Sequence, residues 1–203
     1  MARDPLALPV FERISRIVDG MGLEAYVIGG YVRDYYLCRP CTDIDVVVVG
    51  SGIKVAEALA SELKTNVSVF KNFGTAMLHA DGMEVEFVGA RKESYSHDSR
   101  KPHVETGTLR DDQLRRDFTI NALAWSLNSG RFGELVDPFG GMQDMEDDII
   151  RTPCDPDVTF SEDPLRLMRA VRFASQSGFD IAPETFAAIE RNVDLIQTHS
   201  HDR

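Results

Sequence analysis

The sequence predicts an α/β protein: a small mixed β-sheet backed by helices, continued by an all-α segment. Two patterns carry that expectation. As far as Pro138, short runs rich in Val, Ile and Phe ("EAYVIGG", "DIDVVVVG", "TAMLHADGMEVEFVGA") are interleaved with amphipathic stretches, as strands covered by helices require. Beyond it, "SEDPLRLMRAVRFASQSG" and "APETFAAIERNVDLIQ" show helical spacing alone. With 203 residues, 43% of them hydrophobic, the chain can bury a sizeable core in one or two domains.

Each element has its own reason. Val10, Ile14, Ile17, Val18 and Met21 fall at helical spacing and predict an opening helix. "EAYVIGG" reads as a short strand running into glycines, "YVRDYYLC" as a helix, "DIDVVVVG" as a buried strand and "KVAEALASELK" as an amphipathic helix. Asp81-Gly82 joins two strands of "TAMLHADGMEVEFVGA", a good hairpin signal. From Arg91 to Asp112 the chain is polar, charged and aperiodic, which predicts a long mobile loop. "RRDFTINALAWSL" restores an apolar run expected to be helical, and "ELVDPFGGMQDM" ends a strand at Pro138. The domain boundary is expected there, giving 1–138 and 139–203. Pro164 near its start and Gly178 past its end frame the helix of "SEDPLRLMRAVRFASQSG".

Composition narrows the function. A net charge of −11 makes most of the surface repel a phosphate backbone, so contact with nucleic acid must be local or made elsewhere. No apolar run approaches the roughly 20 residues of a membrane span, and the N-terminus lacks the pattern of a signal peptide, so a cytoplasmic protein is expected. Cys38, Cys41 and Cys154 are too few for a disulfide framework. Cys38 and Cys41 form one C-x-x-C, but no second ligand pair completes a zinc knuckle, and they read as two thiols in a connecting loop. The acidic run from Asp144 to Asp148 reads as solvated.

The chemistry concentrates between Gly29 and Asp45. On a strand, Asp43 and Asp45 project to one side with Ile44 opposite, and two adjacent carboxylates suit a hard divalent cation such as Mg²⁺ carrying phosphate oxygens and water. Gly29 and Gly30 leave room for a phosphate beside the free amides of a starting helix, and Arg33 adds positive charge. A tight turn with solvated aspartates is the plainer account of either motif alone. Both within 17 residues favour the metal–triphosphate account.

"GGYVRDYYL", "DIDVVVVG", "RRDFTINALAWSL", "LVDPFGGMQDM" and "EDPLRLMRAVRFA", in this order, resemble the class II tRNA nucleotidyltransferases (CCA-adding enzymes) and the related bacterial poly(A) polymerases, within the polymerase-β-like nucleotidyltransferase superfamily. The resemblance covers Tyr26 to Ile189. It implies a nucleotidyltransferase head, a helical neck that recognises the base, and further domains that hold tRNA. The end at "THSHDR" carries no closing signal, so a longer protein is expected. The reaction implied is attack of an RNA 3′-hydroxyl on the α-phosphate of a nucleoside triphosphate, with Mg²⁺ at Asp43 and Asp45 and pyrophosphate released.

The resemblance also implies a third acid on a neighbouring strand; Glu84 and Glu86 share a face of "MEVEFV", and Glu86 matches the family position better. Arg116, Asp117 and Asn121, with Arg115 beside them, would face ribose and triphosphate. A carboxylate or amide can bond the 2′-hydroxyl while arginine pairs with phosphate. Asp163 and Arg166, three apart, would read the base edge in place of a template, with Glu162 in support and Arg169 in either role. The expected partners are CTP, ATP and the 3′ end of a tRNA, reached mainly through regions outside this chain, with no membrane and with homodimer formation open. A poly(A) polymerase using ATP alone and an isolated nucleotide-binding module are the alternatives.

Overall fold

The computed structural model describes residues 4–96 and 99–196. Its contacts divide the chain into two units: Met1–Glu93, Val104–Asp112 and Leu123–Val136 form the first, and Ser94–His103, Gln113–Ala122 and Asp137–Arg203 the second.

Helix α1 (Pro9–Met21) buries Val10, Phe11, Ile14 and Val18, and Gly22 at φ 65° ends it. Strand β1 (Glu24–Ile28) and helix α2 (Gly30–Tyr36) follow. Past the end of α2, Cys38 is left-handed at φ 53°; Cys38 N bonds Tyr35 O and Arg39 N bonds Asp34 O. Glycine is usual in this helix-ending turn, and a side chain there costs roughly 1–2 kcal/mol. Next come β2 (Asp43–Val49), α3 (Gly52–Leu63), β3 (Val67–Phe70), β4 (Thr75–Ala80) and β5 (Met83–Gly89). Asp81 and Gly82, at φ 50° and 78°, make the hairpin turn, and Asp81 Oδ2 accepts a 2.7 Å bond from Val10 N near the start of α1.

Strands β6 (Arg91–Ser96) and β7 (Ser99–Thr106) form a two-stranded sheet of their own, and helix α4 (Leu109–Leu114) succeeds them. The loop expected from Arg91 to Asp112 is thus corrected, apart from residues 97 and 98, which lie outside the described residues. A backbone ladder needs no apolar periodicity, so the polar run concealed it. The helix expected in "RRDFTINALAWSL" is also corrected: Thr119–Asn121 is a single 3₁₀ turn, and Ala124–Ser126 is strand β8, paired antiparallel with β1. Residues 118–124 are all buried, and a buried strand and a buried helix look alike in such a run.

With β9 (Leu135–Val136), the main sheet has the order β3-β4-β5-β2-β1-β8-β9, and only β2 and β5 run parallel. Ile44, Val46, Val48, Val85 and Phe87 are wholly buried on one face. Helix α3 packs on β2, β4 and β5 so closely that a Cβ at Gly52 would lie 2.8 Å from the Val88 carbonyl carbon. Trp125, 2% exposed, clamps α2 to the sheet through ring contacts with Tyr31, Tyr35 and Tyr36 at 6.4, 5.2 and 5.6 Å.

The second unit holds α5 (Gly141–Glu146), β10 (Ile149–Ile150), α6 (Pro156–Glu162), α7 (Leu165–Ser177), β11 (Asp180–Ile181) and α8 (Pro183–Asn192), with β10 and β11 forming one short parallel pair. The helix expected between Pro164 and Gly178 is α7, and a shorter helix that the sequence did not announce, α6, ends just before it at Glu162. Pro164 lacks an N–H and disfavours helical backbone at the residue before it, and Asp163 is extended at φ −146°, ψ 94°.

Candidate active site

In the first unit, the parallel register of β2 and β5 sets Asp43 opposite Glu84 and Asp45 opposite Glu86. Period-2 alternation puts all four on the sheet face away from Ile44 and Val85. Asp43 and Glu84 are exposed, Asp45 and Glu86 half-buried. Thr42 Oγ1 donates to Asp43 Oδ1 at 3.2 Å, and His79 Nε2 stands 3.9 Å from Glu84 Oε2. Strand β1 brings Ile28 beside Asp45, so the chain leaves the sheet at Gly29 next to the acids. Gly29 has φ 79°, ψ −128°, a conformation suited to glycine, and its N–H is tied to Leu123 O at 3.1 Å. Gly30 then opens α2. Arg33 forms a two-pronged pair with Asp34 (2.9 and 2.8 Å), so a neighbouring carboxylate already shares its charge.

Like charges side by side repel unless a cation lies among them, and carboxylate oxygens are hard donors fitted to Mg²⁺. Among the described residues, no group of three or more His, Cys, Asp or Glu side chains converges into a ready cation cage. Two carboxylates meet Mg²⁺'s usual demand on protein, since phosphate and water complete its shell. The donor set therefore fits.

Cys41 lies two residues ahead of β2. Its Sγ donates to Asp43 O at 3.2 Å and lies 3.9 Å from Asp43 Oδ1, while burial pushes the thiol pKa up. It lines a cavity of about 470 Å³ with Asp4, Tyr31, Tyr35, Arg39 and Met83.

In the second unit the candidates are already bonded to one another. Asp117, 7% exposed, accepts from Phe118 N (2.8 Å) and Asn121 Nδ2 (2.9 Å) through Oδ1, and from Arg169 Nε (2.7 Å) through Oδ2. The 3₁₀ turn thus brings Asp117 and Asn121 together without the helix expected there. Arg116 Nη1 reaches Asn121 O at 3.5 Å. Arg166, 9% exposed, donates to Thr159 O (3.2 Å) and Arg115 O (2.6 Å), with Glu162 3.5 Å away. Asp163 Oδ1 accepts from Leu165 N at 3.1 Å, and its Oδ2 is 3.9 Å from Arg166 Nε.

Two groups escaped the sequence reading. Asp144, expected in solvent, is 6% exposed; it accepts from Thr119 Oγ1 (2.6 Å) and Arg151 Nε (3.0 Å), which corrects the solvated reading at that residue. Its signal was Arg151, seven residues on, too distant for a helical pairing rule. Asp137 accepts from Gly141 N and Met142 N at 2.8 and 2.9 Å, a cap for α5 that an acid ahead of Gly-Gly announces.

The family model described as the poly A polymerase head domain matches residues 25–151. The A-adding tRNA nucleotidyltransferase of Aquifex aeolicus is 43% identical over 173 residues, 85% of this chain and 21% of that protein. The CCA-adding enzyme of Bacillus pumilus is 41% identical over 184 residues, 90% of this chain and 44% of that enzyme. A tRNA nucleotidyltransferase solved with a primer tRNA and an incoming ATP analog superposes with a TM-score of 0.79 at 40% identity, covering 90% of this chain and 50% of the other. The chain thus spans between about a fifth and half of these relatives. No helix among the described residues is long and apolar enough to cross a membrane.

Proposed function

This chain belongs to the poly(A) polymerase head-domain family, and from that premise we propose that it is the nucleotidyl-transferring part of a tRNA nucleotidyltransferase. The reaction proposed is addition of CMP and AMP from CTP and ATP to a tRNA 3′ end, with release of pyrophosphate. One observation carries it: two strand-borne aspartates, Asp43 and Asp45, with Glu86 in register beside them and the Gly29-Gly30 turn next to the strand. The relative solved with primer tRNA and an ATP analog supports the same partners.

Asp43 and Asp45 would hold Mg²⁺, which when bound supplies a Lewis acid for the attacking hydroxyl and for the leaving phosphate charge. Gly29 and Gly30 give the triphosphate close approach to the backbone, and Arg33 adds charge beside it. Glu86 adds negative potential that keeps the cation at the strand. Ribose and phosphate contacts fall to Arg116, Asp117, Asn121 and Arg169, a constellation rigid because its members bond one another. Asp163 presents Oδ2 to an exocyclic amino group, which C and A carry on that edge, while Arg166 holds the loop that bears it. The domain division proposed is a head to Pro138 and a helical neck beyond.

Primer extension on tRNA lacking its 3′-terminal CCA, with each nucleotide alone and in pairs, tests this in the protein that carries the chain. C followed by A is expected. Extension by A on a CC-ended primer alone would replace CCA addition with A addition, long A tracts would indicate a poly(A) polymerase, and nucleotide binding without extension would leave only a binding module.

A further inference from the structure

We propose that Cys38 and Cys41 are a reversible dithiol–disulfide pair whose oxidation switches the carboxylate site at Asp43. The idea rests on the reading of Asp43 as a metal-binding carboxylate. The backbone at Cys38 is left-handed (φ 53°), in the helix-ending turn where glycine is the unstrained choice, yet this chain places an exposed thiol there. Lys64 ends α3 in the same left-handed conformation, so what sets Cys38 apart is the thiol that it exposes there. Its partner is three residues on. Cys41 is half-exposed, and both thiols lie in the irregular connection between α2 and β2; drawing them together pulls on Thr42, whose carbonyl accepts from Glu84 N of β5 at 3.1 Å.

Cys41 points at the carboxylate strand. Its Sγ–H donates to the backbone oxygen of Asp43 at 3.2 Å, so the thiol helps set the first residue of the carboxylate strand. The step needs a two-electron oxidant, a peroxide. The more exposed Cys38 thiolate attacks one peroxide oxygen, the O–O bond breaks, and hydroxide leaves to take up a proton, giving a sulfenic acid and water. The Cys41 sulfur then attacks the Cys38 sulfur, the S–O bond breaks, the thiol proton goes to the departing hydroxide, and a second water forms. Two thiols have lost two electrons and two protons; peroxide has become two waters. A disulfide sulfur has no proton, so the bond to Asp43 O is lost and residues 41 and 42 are drawn toward the end of α2. Thiol–disulfide exchange with a small dithiol reverses the change.

The protein is exposed to hydrogen peroxide, quenched and divided among three measurements. Intact mass with peptide mapping should show a loss of about 2 Da located to a Cys38–Cys41 link, reversed by dithiothreitol. Amide NMR should show Thr42 to Asp45 shifted in the oxidised form. Mg·ATP titration should show binding weakened about 10-fold or more, the size expected when a group supporting a metal ligand is lost. Cys38→Gly should keep or raise the thermal midpoint, bind Mg·ATP as the reduced protein does, and ignore peroxide. No mass loss, a mixed disulfide or sulfinic acid alone, or a disulfide that leaves the Thr42 to Asp45 amides unmoved would overturn the switch. Failure of the reduced protein to bind Mg·ATP would instead count against the reading of Asp43, while the mass and amide data still decide whether the disulfide acts on that strand.

Discussion

The two units handle carboxylates in opposite ways. On the sheet of the first, Asp43, Asp45, Glu84 and Glu86 stand side by side on adjacent strands, with half-buried or exposed side chains. In the second, Asp117 takes donors from Phe118, Asn121 and Arg169, and Asp144 takes donors from Thr119 and Arg151. Acids crowded on one sheet face repel one another and gain from a mobile cation; acids saturated by the protein hold geometry. Removing the first kind should harm chemistry and spare the fold. Removing the second should cost stability first.

The sharpest break in that contrast would come at Asp43. Asp43→Ala and Asp45→Ala should each lower nucleotide transfer by at least on the order of 100-fold, as when a charge-stabilising group is removed from an active site. Thermal unfolding of Asp43→Ala should stay within about 0.5 kcal/mol of the parent, as for other exposed positions. Retained transfer in the double variant would end the metal assignment. Asp117→Ala tests the opposite kind of acid: leaving the buried Phe118 N–H without its acceptor should cost about 1–3 kcal/mol in chemical denaturation. Wild-type stability in this variant would mean that the network is not structural.

Between these extremes lies Asp163, partly engaged at Leu165 N and partly exposed. Asp163→Ala should blur the preference for CTP and ATP over UTP and GTP by about 10-fold, from the roughly 1–3 kcal/mol that one base-edge contact supplies. Arg166→Ala should mainly lower stability, because its guanidinium ties Thr159 O and Arg115 O. Unchanged C/U and A/G ratios in competition would remove Asp163 from base selection.

The smallest effect is a pH dependence. Hydrogen bonds from Arg191, then Asn192, hold the exposed Asp157 carboxyl below its ordinary 3.8. A carboxyl with a depressed folded pKa stabilises the protein above its unfolded value, and the contribution disappears as pH falls through the lower folded value. Asp157→Asn should therefore lower stability slightly at pH 7, where the contribution is fully present, and converge on the parent below about pH 4, which flattens the acid limb. A steeper acid limb in the variant would contradict this.

What the sequence disclosed follows the same division. Asp43 and Asp45 were legible because strand alternation is a local rule, and Asp81-Gly82 because a tight turn demands positive φ at both residues. β8 was not legible: a continuously buried strand loses the alternation that marks it, and its pairing with β1 joins residues about a hundred positions apart. The β6–β7 pair escaped for the converse reason, since its backbone pairing left no apolar signature. Asp144 was misread because its partners, Thr119 and Arg151, lie 25 and seven residues away, beyond any periodic rule.

Gly52 carries a warning for anyone scanning this protein by mutation. It has no side chain with which to bind anything, yet a Cβ there would lie 2.8 Å from one backbone atom of Val88 and 3.0 Å from another, and neither can swing aside as a side chain would. Either α3 must lift from the sheet or β5 must slide, and β5 is the strand that sets Glu86 beside Asp45. In a library screen, position 52 would therefore score as intolerant as an active-site residue, and its apparent importance would be that of a spacer.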